Sequence, residues 1–509
     1  MVHLTGIAEA SAEPHLARVR PRPFLARTWL VFAALFSVLL LWSAAVPIYG
    51  TPDEPAHMVR AAGIVRGQVD GDRAADGVVT YEVPAVLASE RVPCYAFRPQ
   101  RTADCLVIPP DIGDIAVAST ASGYPPLFHA LVGWPTLVTS GLESLYLMRV
   151  ANALVCALLL TAAVVNLRRL PRPAPIAVGM MVSLTPMVLF LSGPVNPSGM
   201  AASAGLAIWT AGLVLLGDDS SRRLRHATAA FGIPFCVLIL IRRDSLLWGL
   251  AILVMFAVLI SWDRLRVLVR SPAAWLWTAA IAVTALVQYV VWSGDAASSF
   301  AEGAEVTSGG NASAALGDTF EYLRQAVGKM GWLDTSMPTV VYLGWLLVVG
   351  VLLLSMAKLG RKQEVFAVAV AVVMLVGLIT IVGSVRYPYL QGRYFLPFAV
   401  GVPLIAGHAL SQARISRVPP RLLAIGVGTV FVLHQVSFAQ QLRRHAVGTR
   451  GSWFFAFDNE WSPDAAPIWL LMAGYFVATG AMLAMLVAIM RSSGGRSGTA
   501  PAVAHARAS

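Results

Sequence analysis

Apolar stretches of about 20 residues recur along most of the chain, and polar residues fall between them. An α-helix of roughly this length crosses the hydrocarbon core of a bilayer. The pattern therefore predicts an all-α integral membrane protein with about twelve transmembrane helices. These helices are expected at residues 29–49, 145–167, 174–191, 199–216, 227–241, 245–262, 272–292, 339–356, 365–383, 395–412, 422–438 and 467–490.

One further apolar stretch, residues 125–138, is short and contains Pro125, Pro126 and Pro135. We expect an interfacial or re-entrant segment there rather than a span. The remaining spans then place both termini on one side of the membrane. The expected organisation is a cytoplasmic tail over residues 1–28, a polytopic domain over 29–490 and a disordered cytoplasmic tail over 491–509.

The basic residues distinguish the two faces of the membrane. The formal net charge is +11, and the connections and tails predicted to be cytoplasmic hold 22 of the 38 basic residues but only 6 of the 27 acids. The inner face therefore carries +16 and the outer face −5, as the positive-inside rule requires. With 57% hydrophobic and 13% charged residues, the composition excludes a soluble enzyme and a nucleic-acid-binding protein.

The long connections all lie on the predicted outer face, at residues 50–144, 293–338 and 439–466. A loop as long as the first is usually functional, and we expect short interfacial helices within it. Its two cysteines, Cys94 and Cys105, face an oxidising compartment, which predicts a disulfide; two free thiols are the alternative. The first span is too long for the core of a cleavable signal peptide.

Two acids and a histidine open the first outer loop. Asp53 and Glu54 follow the first span directly, and His57 lies one helical turn beyond Asp53. A carboxylate at this depth could act as a general base toward a hydroxyl group. Two alternatives stay open: helix capping by the acids, and a divalent metal ion held by Asp53 and His57, for which two ligands are weak evidence.

Three arginines on the outer face are candidates for binding a lipid phosphate. Arg393 precedes a span beside Tyr394, and its guanidinium could donate two parallel hydrogen bonds to a phosphate. Arg242 and Arg243 interrupt an apolar region at an outer turn, against the positive-inside trend. The alternatives are an interfacial role for Tyr394 and a tight turn held by an internal Arg–Asp pair.

Two short outer connections add candidate substrate-binding residues. Asn196 lies in a turn rich in glycine and proline, and could bind a sugar or cap the next helix. Trp332 and Asp334 precede another span. Trp332 could stack on a sugar ring or anchor the helix at the interface.

Several motifs in a fixed order support a family resemblance. They are Thr-Pro-Asp-Glu-Pro-Ala-His at 51–57, Tyr-Pro-Pro-Leu at 124–127, Thr-Pro at 185–186, Val-Asn-Pro at 195–197, Gly-Trp-Leu-Asp at 331–334 and Gln-Gly-Arg-Tyr at 391–394. Over nearly all of residues 29–490 the chain resembles a family of bacterial, largely actinobacterial, membrane proteins of unknown function. That family is similar to the GT-C superfamily of membrane glycosyltransferases.

The resemblance implies an enzyme of the bacterial plasma membrane. It would transfer a sugar, with inversion, from a polyprenyl-phosphate donor to an envelope glycan or glycolipid on the extracytoplasmic side. Asp53 matches the catalytic-base position, Glu54 its acidic neighbour, and Arg393 the donor-phosphate position. Several GT-C members use a divalent metal ion, which this sequence neither supports nor excludes.

Two alternatives to an enzyme remain: a transporter or flippase for a lipid-linked glycan, and a non-catalytic envelope assembly factor. A transporter should carry ionisable residues near the middle of several spans. We expect none there, because the ionisable residues cluster at the outer ends of the spans. This distribution favours surface chemistry.

The topology can be tested by labelling single cysteines. A cysteine placed near Asp218 should react with a membrane-permeant maleimide only, since that connection is predicted to be cytoplasmic. A cysteine placed near Asp111, in the first outer loop, should also react with an impermeant reagent. Labelling of the Asp218 position by the impermeant reagent would contradict the topology.

Overall fold

The computed structural model describes residues 24–75, 77–88, 92–217, 221–292, 312–386, 390–413, 415 and 418–492. The described chain is mainly helical. The helices up to residue 269 are α1 (Phe24–Ala45), α2 (Glu54–Val65), α3 (Pro126–Gly133), α4 (Leu142–Leu167), α5 (Pro173–Ser183), α6 (Pro186–Ser192), α7 (Pro197–Leu216), α8 (Ser221–Ile241), α9 (Ser245–Leu259) and α10 (Trp262–Val269). Those that follow are α11 (Pro272–Trp292), α12 (Ala312–Gly317), α13 (Thr319–Gly328), α14 (Thr339–Leu359), α15 (Lys362–Arg386), α16 (Leu396–Ala399), α17 (Gly401–Gln412), α18 (Pro420–Val447) and α19 (Ile468–Ser492).

The predicted spans correspond to helices of three kinds. Within the described ranges, nine helices are long and apolar enough to cross a membrane, and a tenth span results if the bent pair α5–α6 counts as one. The spans predicted at 245–262 and 395–412 fold as the shorter helices α9 and α16–α17. Nine or ten full crossings therefore replace the twelve expected, although every predicted segment is helical.

The bend between α5 and α6 has a local cause. The two helices meet at 69° where Pro186 occupies the first turn of α6 and Thr185 is extended. The residue before a proline avoids the helical region, and proline has no N–H to continue the helix. The Thr185 hydroxyl caps α6 by accepting from the Val188 N–H at 3.2 Å.

The helices form a bundle around α7. Almost 90% of the α7 span is buried, whereas only 6% of the α11 span is. α7 packs between α4 and α8, α1 packs against α4 and α19, and α5 packs against α17. The exposed apolar side chains of α11, among them Leu276, Val283 and Leu286, form the surface that a lipid-facing helix requires.

The first outer loop contains a small sheet that the sequence analysis did not predict. Strands β1 (Asp72–Arg73), β2 (Val79–Pro84) and β3 (Asp114–Ala118) form an antiparallel sheet in the order β1-β2-β3. β2 pairs with β3 from Thr80↔Ala118 to Pro84↔Asp114. A disulfide joins Cys94 to Cys105 within the same loop. β4 (Lys329–Met330) and β5 (Thr335–Ser336) form a second, two-stranded sheet.

The segments predicted to lie outside meet at one end of the bundle. The Trp332 indole N–H donates to the carbonyl of Tyr49 at 2.9 Å, and Tyr146 donates to Asp464 at 2.6 Å. The Thr449 N–H donates to the Pro99 carbonyl at 2.8 Å. Residues 125–138 form the eight-residue helix α3 and a 3₁₀ turn, which together are too short to cross a bilayer.

One expectation about the spans is wrong. His434 lies near the middle of α18 and is fully buried, whereas no ionisable side chain was expected inside a span. It lies within 3.4 Å of the Tyr475 hydroxyl and edge-on to the ring of Trp345. The predicted tails fall almost entirely outside the described residues, as does the section of the second outer loop from 293 to 311.

Candidate functional site

The turn between α1 and α2 is held by buried side chains from distant parts of the chain. Arg149 of α4, fully buried, donates to the carbonyls of Ser43, Val46 and Pro47 at 2.8, 2.6 and 2.7 Å. Buried backbone carbonyls require partners, and here an arginine replaces the missing helical N–H groups. The end of α1 and the start of α2 are thereby fixed to α4.

Glu54, the first residue of α2, is the main partner of Arg149. Its carboxylate accepts from the Arg149 Nε and Nη2 groups, both at 2.8 Å, and neither side chain has any exposed surface. It also accepts from the N–H of Val195 at 3.2 Å and from the N–H of Thr51 at 3.4 Å. Both oxygens of this carboxylate accept all their hydrogen bonds from groups of the protein, and the side chain is fully buried. Glu54 therefore cannot reach a substrate in this arrangement.

Asp53 lies beside Glu54 but is placed very differently. Its backbone is left-handed, with φ of 64°, and although it occupies the N-cap position its side chain makes no capping hydrogen bond. Left-handed backbone in a residue other than glycine is uncommon and strained. The side chain is 43% exposed and turns instead toward Arg393. The structure therefore contradicts the capping alternative for Asp53.

Arg393 joins this turn to the segment before α16. Its Nη2 group donates to the Asp53 carboxylate at 2.5 Å, and its Nη1 group donates to the Pro52 carbonyl at 3.2 Å. The guanidinium is only 3% exposed. Burial alone would lower the pKa of Arg393, but the Asp53 carboxylate together with Tyr394 and Tyr124 outweighs burial and raises it. Arg393 therefore stays charged at the edge of the site.

Arg242 contacts the same tyrosine ring, Tyr394, as Arg393 does. The carbon of its guanidinium is 4.6 Å from the centre of the Tyr394 ring, and that of Arg393 is 5.3 Å away. Arg242 donates to both carboxylate oxygens of Asp244, at 2.8 and 3.1 Å, and to the Ser198 hydroxyl at 2.8 Å. The internal Arg–Asp pair left open from the sequence is thus present. The guanidinium of neighbouring Arg243 lies against Gly123.

His57 belongs to a buried pair behind these arginines. Its Nδ1 lies 3.2 Å from Nε2 of His129, and Nδ1 of His129 lies 3.2 Å from the Pro125 carbonyl. Since a carbonyl only accepts, His129 donates to Pro125 and His57 donates to His129. Burial, reinforced for His57 by Arg393, Arg242 and Arg60, lowers the pKa of both histidines well below the usual value. Both rings are neutral.

The other predicted substrate-binding residues are buried in contacts with the protein. Asn196 caps α7 by accepting from the Ser198 N–H at 2.9 Å and donates to the Pro52 carbonyl at 3.0 Å. Trp332 holds Tyr49 as described above and is 7% exposed. Asp334 forms an ion pair with Arg444 at 3.0 Å. These three residues support the site from behind rather than line it.

Three buried arginines were not among the predicted site residues. Arg149 lies inside a predicted span, and an arginine in such a run is itself a signal of function or of a buried pair. Arg60 donates to the Tyr81 hydroxyl at 2.5 Å and the Tyr124 carbonyl at 2.6 Å. Arg444, at the end of α18, donates to the carbonyls of three residues of the first outer loop, Tyr95, Arg98 and Arg101.

The described residues give a limited basis for a metal site. Among them, no group of three or more His, Cys, Asp or Glu side chains converges as metal ligands would. His57, one of the two candidate ligands, has its Nδ1 engaged with His129 and lies in the positive field of three arginines. A divalent cation would be repelled by that field.

The chain matches a known protein family over most of its length. A family model described as "Predicted membrane protein (DUF2142)" matches residues 36–402. The chain belongs to this DUF2142 family. The match includes Asp53, Glu54, Arg149, Asn196, Arg242 and Arg393, and ends before α18 and Arg444.

Solved structures give a weaker similarity. Two structures of ArnT from Cupriavidus metallidurans, one in the apo state and one bound to undecaprenyl phosphate, share 14% identity with this DUF2142 chain. Each comparison covers 92% of this chain and 77% of ArnT, with TM-scores of 0.46 and 0.45. Scores of this size do not establish a common fold. No curated protein matches the chain significantly.

The ion pair between Glu54 and Arg149 should be essential for stability. Replacing Arg149 by Met leaves a buried carboxylate unpaired, which typically costs about 3–5 kcal/mol. The double variant Glu54→Gln/Arg149→Met should recover part of this loss, because no unpaired charge remains. Thermal unfolding in detergent, followed by circular dichroism, measures both. Arg266→Met, which removes the exposed pair with Asp263, should cost less than about 1 kcal/mol. Equal losses for Arg149→Met and Arg266→Met would contradict this role.

The histidine pair should make stability depend on pH. The folded state keeps both rings neutral, whereas the unfolded chain takes up protons below a pKa of about 6.5. Stability should therefore fall as the pH drops from about 7 to about 5. The double variant His57→Gln/His129→Gln should lose less stability over this range, as measured by thermal midpoints at each pH. An unchanged pH dependence would exclude the pair as its source.

Proposed function

We propose that this protein is a membrane glycosyltransferase of GT-C type. It would take a sugar from a polyprenyl-phosphate donor and transfer it to an envelope glycan or glycolipid on the extracytoplasmic side. The observation that carries the proposal is the arrangement at the outer end of the bundle: the half-exposed, conformationally strained carboxylate of Asp53 pairs with the buried Arg393, and the buried Arg242 contacts the same Tyr394 ring as Arg393. The motif resemblance provides the reaction class.

In this proposal Asp53 is the general base. It accepts the proton of the acceptor hydroxyl as that oxygen forms a bond to the anomeric carbon of the sugar. The bond between that carbon and the phosphate oxygen breaks, and the lipid phosphate leaves with the electron pair. A single displacement of this kind inverts the anomeric centre. A positioned carboxylate contributes roughly 10²–10⁴-fold to such a step.

Arg393 and Arg242 stabilise the negative charge that develops on the leaving phosphate. Buried guanidinium groups provide this stabilisation efficiently, because their orientation is fixed before the reaction. Both are held in place from behind, Arg393 through Pro52 and Arg242 through Asp244 and Ser198. Both guanidinium groups contact the Tyr394 ring, and the neighbouring Arg243 adds a third positive charge. Glu54 then serves as a positioning residue for Asp53 rather than as a second acid.

A transport function is less well supported by the described residues. The broken helix α5–α6 and the buried His434 are features that transporters share. However, carbonyls at the break are occupied by protein groups: the Trp345 indole donates to the Val182 carbonyl at 3.2 Å, and the Thr185 N–H donates to the Ser183 carbonyl at 2.9 Å. A coordination site for cargo or ions needs such carbonyls free.

The proposal is tested by a sugar-transfer assay. Purified protein is incubated with a panel of polyprenyl-phosphate sugars and a cell-envelope extract, and the released lipid phosphate is measured. Asp53→Asn should lower turnover by about 10²-fold or more, since it removes the base. Arg393→Gln should also lower turnover, because a leaving-group contact is lost.

The matched control is Asp114→Asn. Asp114 is also a partly exposed acid of the first outer loop paired with an arginine, Arg66, at 3.3 Å, but it lies outside the site. This variant should keep wild-type turnover. Full transfer by the Asp53→Asn protein would overturn the assignment of the base, and absence of transfer from every donor would overturn the proposed reaction.

A further inference from the structure

A large groove lies between α18 and α19, away from the site described above. Its volume is about 1440 Å³, which exceeds the roughly 300–1,000 Å³ of a typical small-ligand pocket. Its walls are almost entirely apolar and include Leu423, Val427 and Gly428 of α18 and Leu483 and Ala484 of α19. Arg491 is the charged residue that lines it. We call it the α18–α19 groove.

The groove lies within the depth of the membrane. Both of its helices are long and apolar enough to be spans. The backbone of each wall is internally hydrogen-bonded as helix, and the lining side chains offer no polar partner except Arg491. Whatever fills such a space in a bilayer must therefore be apolar over most of its length, as an acyl chain is.

The charged end of the groove is distant from the candidate site. Arg491 is in the last turn of α19, and the groove extends along the first half of α18. Arg444 and its contacts with the first outer loop lie at the opposite end of α18, a helix of 28 residues that is roughly 40 Å long. The exposed Arg421, near the start of α18, lies at the same end as the groove. This is the end that the positive-inside pattern assigns to the cytoplasm.

We propose that the α18–α19 groove binds an anionic phospholipid of the cytoplasmic leaflet. The acyl chains lie along the apolar walls and the phosphate contacts Arg491. Basic pockets between transmembrane helices on this side bind acidic headgroups. A polyprenyl-phosphate donor fits less well, because its reaction site is at the other end of α18. A second copy of the chain also fits less well. In a symmetric contact between two copies, Arg491 of each copy would lie against a groove that contains the other copy's Arg491, so that two positive charges meet.

The groove offers a closely matched pair of glycines for the test. An added side chain at Gly428 would meet no protein atom within 4 Å, and the same holds for Gly426, two residues earlier on the same helix. Only Gly428 lines the groove. Gly428→Leu therefore places a side chain in the groove, and Gly426→Leu adds the same side chain elsewhere on the helix. Both changes favour the helix.

The experiment measures lipid binding to the full-length protein by native mass spectrometry. The probes are phosphatidylglycerol, phosphatidylcholine and undecaprenyl phosphate, added at equal concentration to detergent-solubilised protein. Wild type and Gly426→Leu should retain phosphatidylglycerol in preference to phosphatidylcholine. Gly428→Leu should lose this binding, and Arg491→Gln should weaken it about fivefold, the contribution expected of one basic residue near a headgroup. Arg361→Gln, at another predicted cytoplasmic connection, should change nothing.

Four results would overturn the proposal. They are wild-type lipid binding by Gly428→Leu, equal retention of phosphatidylglycerol and phosphatidylcholine, an unaffected Arg491→Gln variant, and preferential retention of undecaprenyl phosphate. A protein dimer that Gly428→Leu disrupts and Gly426→Leu does not would assign the groove to a second copy instead. Circular dichroism of each variant shows whether a loss of lipid binding comes from the altered groove or from unfolding of the protein.

Discussion

The buried ion pair between Glu54 and Arg149 is the interaction on which the rest of the site depends. It joins the start of α2 to α4, and Arg149 also holds the last carbonyls of α1. An isolated charge at this depth would be strongly unfavourable, but here each partner neutralises the other and every remaining hydrogen-bonding position is used. Because the pair fixes both ends of the turn, Asp53 is left on the surface in a conformation that it would not adopt alone.

Two adjacent acids consequently have opposite environments. Glu54 has no exposed surface, while the Asp53 carboxylate is 43% exposed and has one arginine partner. The sequence Asp-Glu cannot reveal this division, since either residue could have faced inward. The left-handed backbone at Asp53, with φ of 64°, accompanies this division. Position in the fold, rather than residue type, thus separates the acid available for chemistry from the one used for structure.

The features that follow from local pattern could be predicted from the sequence, and those that depend on distant partners could not. Every apolar run that was predicted as a span is helical, but the runs did not show that α5–α6 would bend at Pro186 or that α9 would end early. In the first loop only β2 alternates, with Val79, Tyr81 and Val83 buried and Thr80 and Glu82 more exposed. Because β1 and β3 are short and partly polar, the sheet as a whole was not predicted. Asp53 and Arg393 were each singled out as candidates, yet they are 340 residues apart, and nothing in a single sequence pairs them. Arg149 was not predicted as a site residue, and its partner Glu54 lies 95 residues away in the sequence.

The outer loops explain why the strained turn persists. Tyr95 donates to the Ile48 carbonyl at 2.8 Å, and Arg444 binds carbonyls within the segment that the Cys94–Cys105 disulfide closes. The covalently closed loop, the end of α18 and the Asp53 turn therefore form one connected unit. In such a unit the weakest constraint is the one at the surface, namely the contact between Arg393 and the half-exposed Asp53 carboxylate. In the proposed reaction, the anionic phosphate of the donor would compete with Asp53 for Arg393 and free the carboxylate to act as the base, while Glu54 and Arg149 keep the backbone in place.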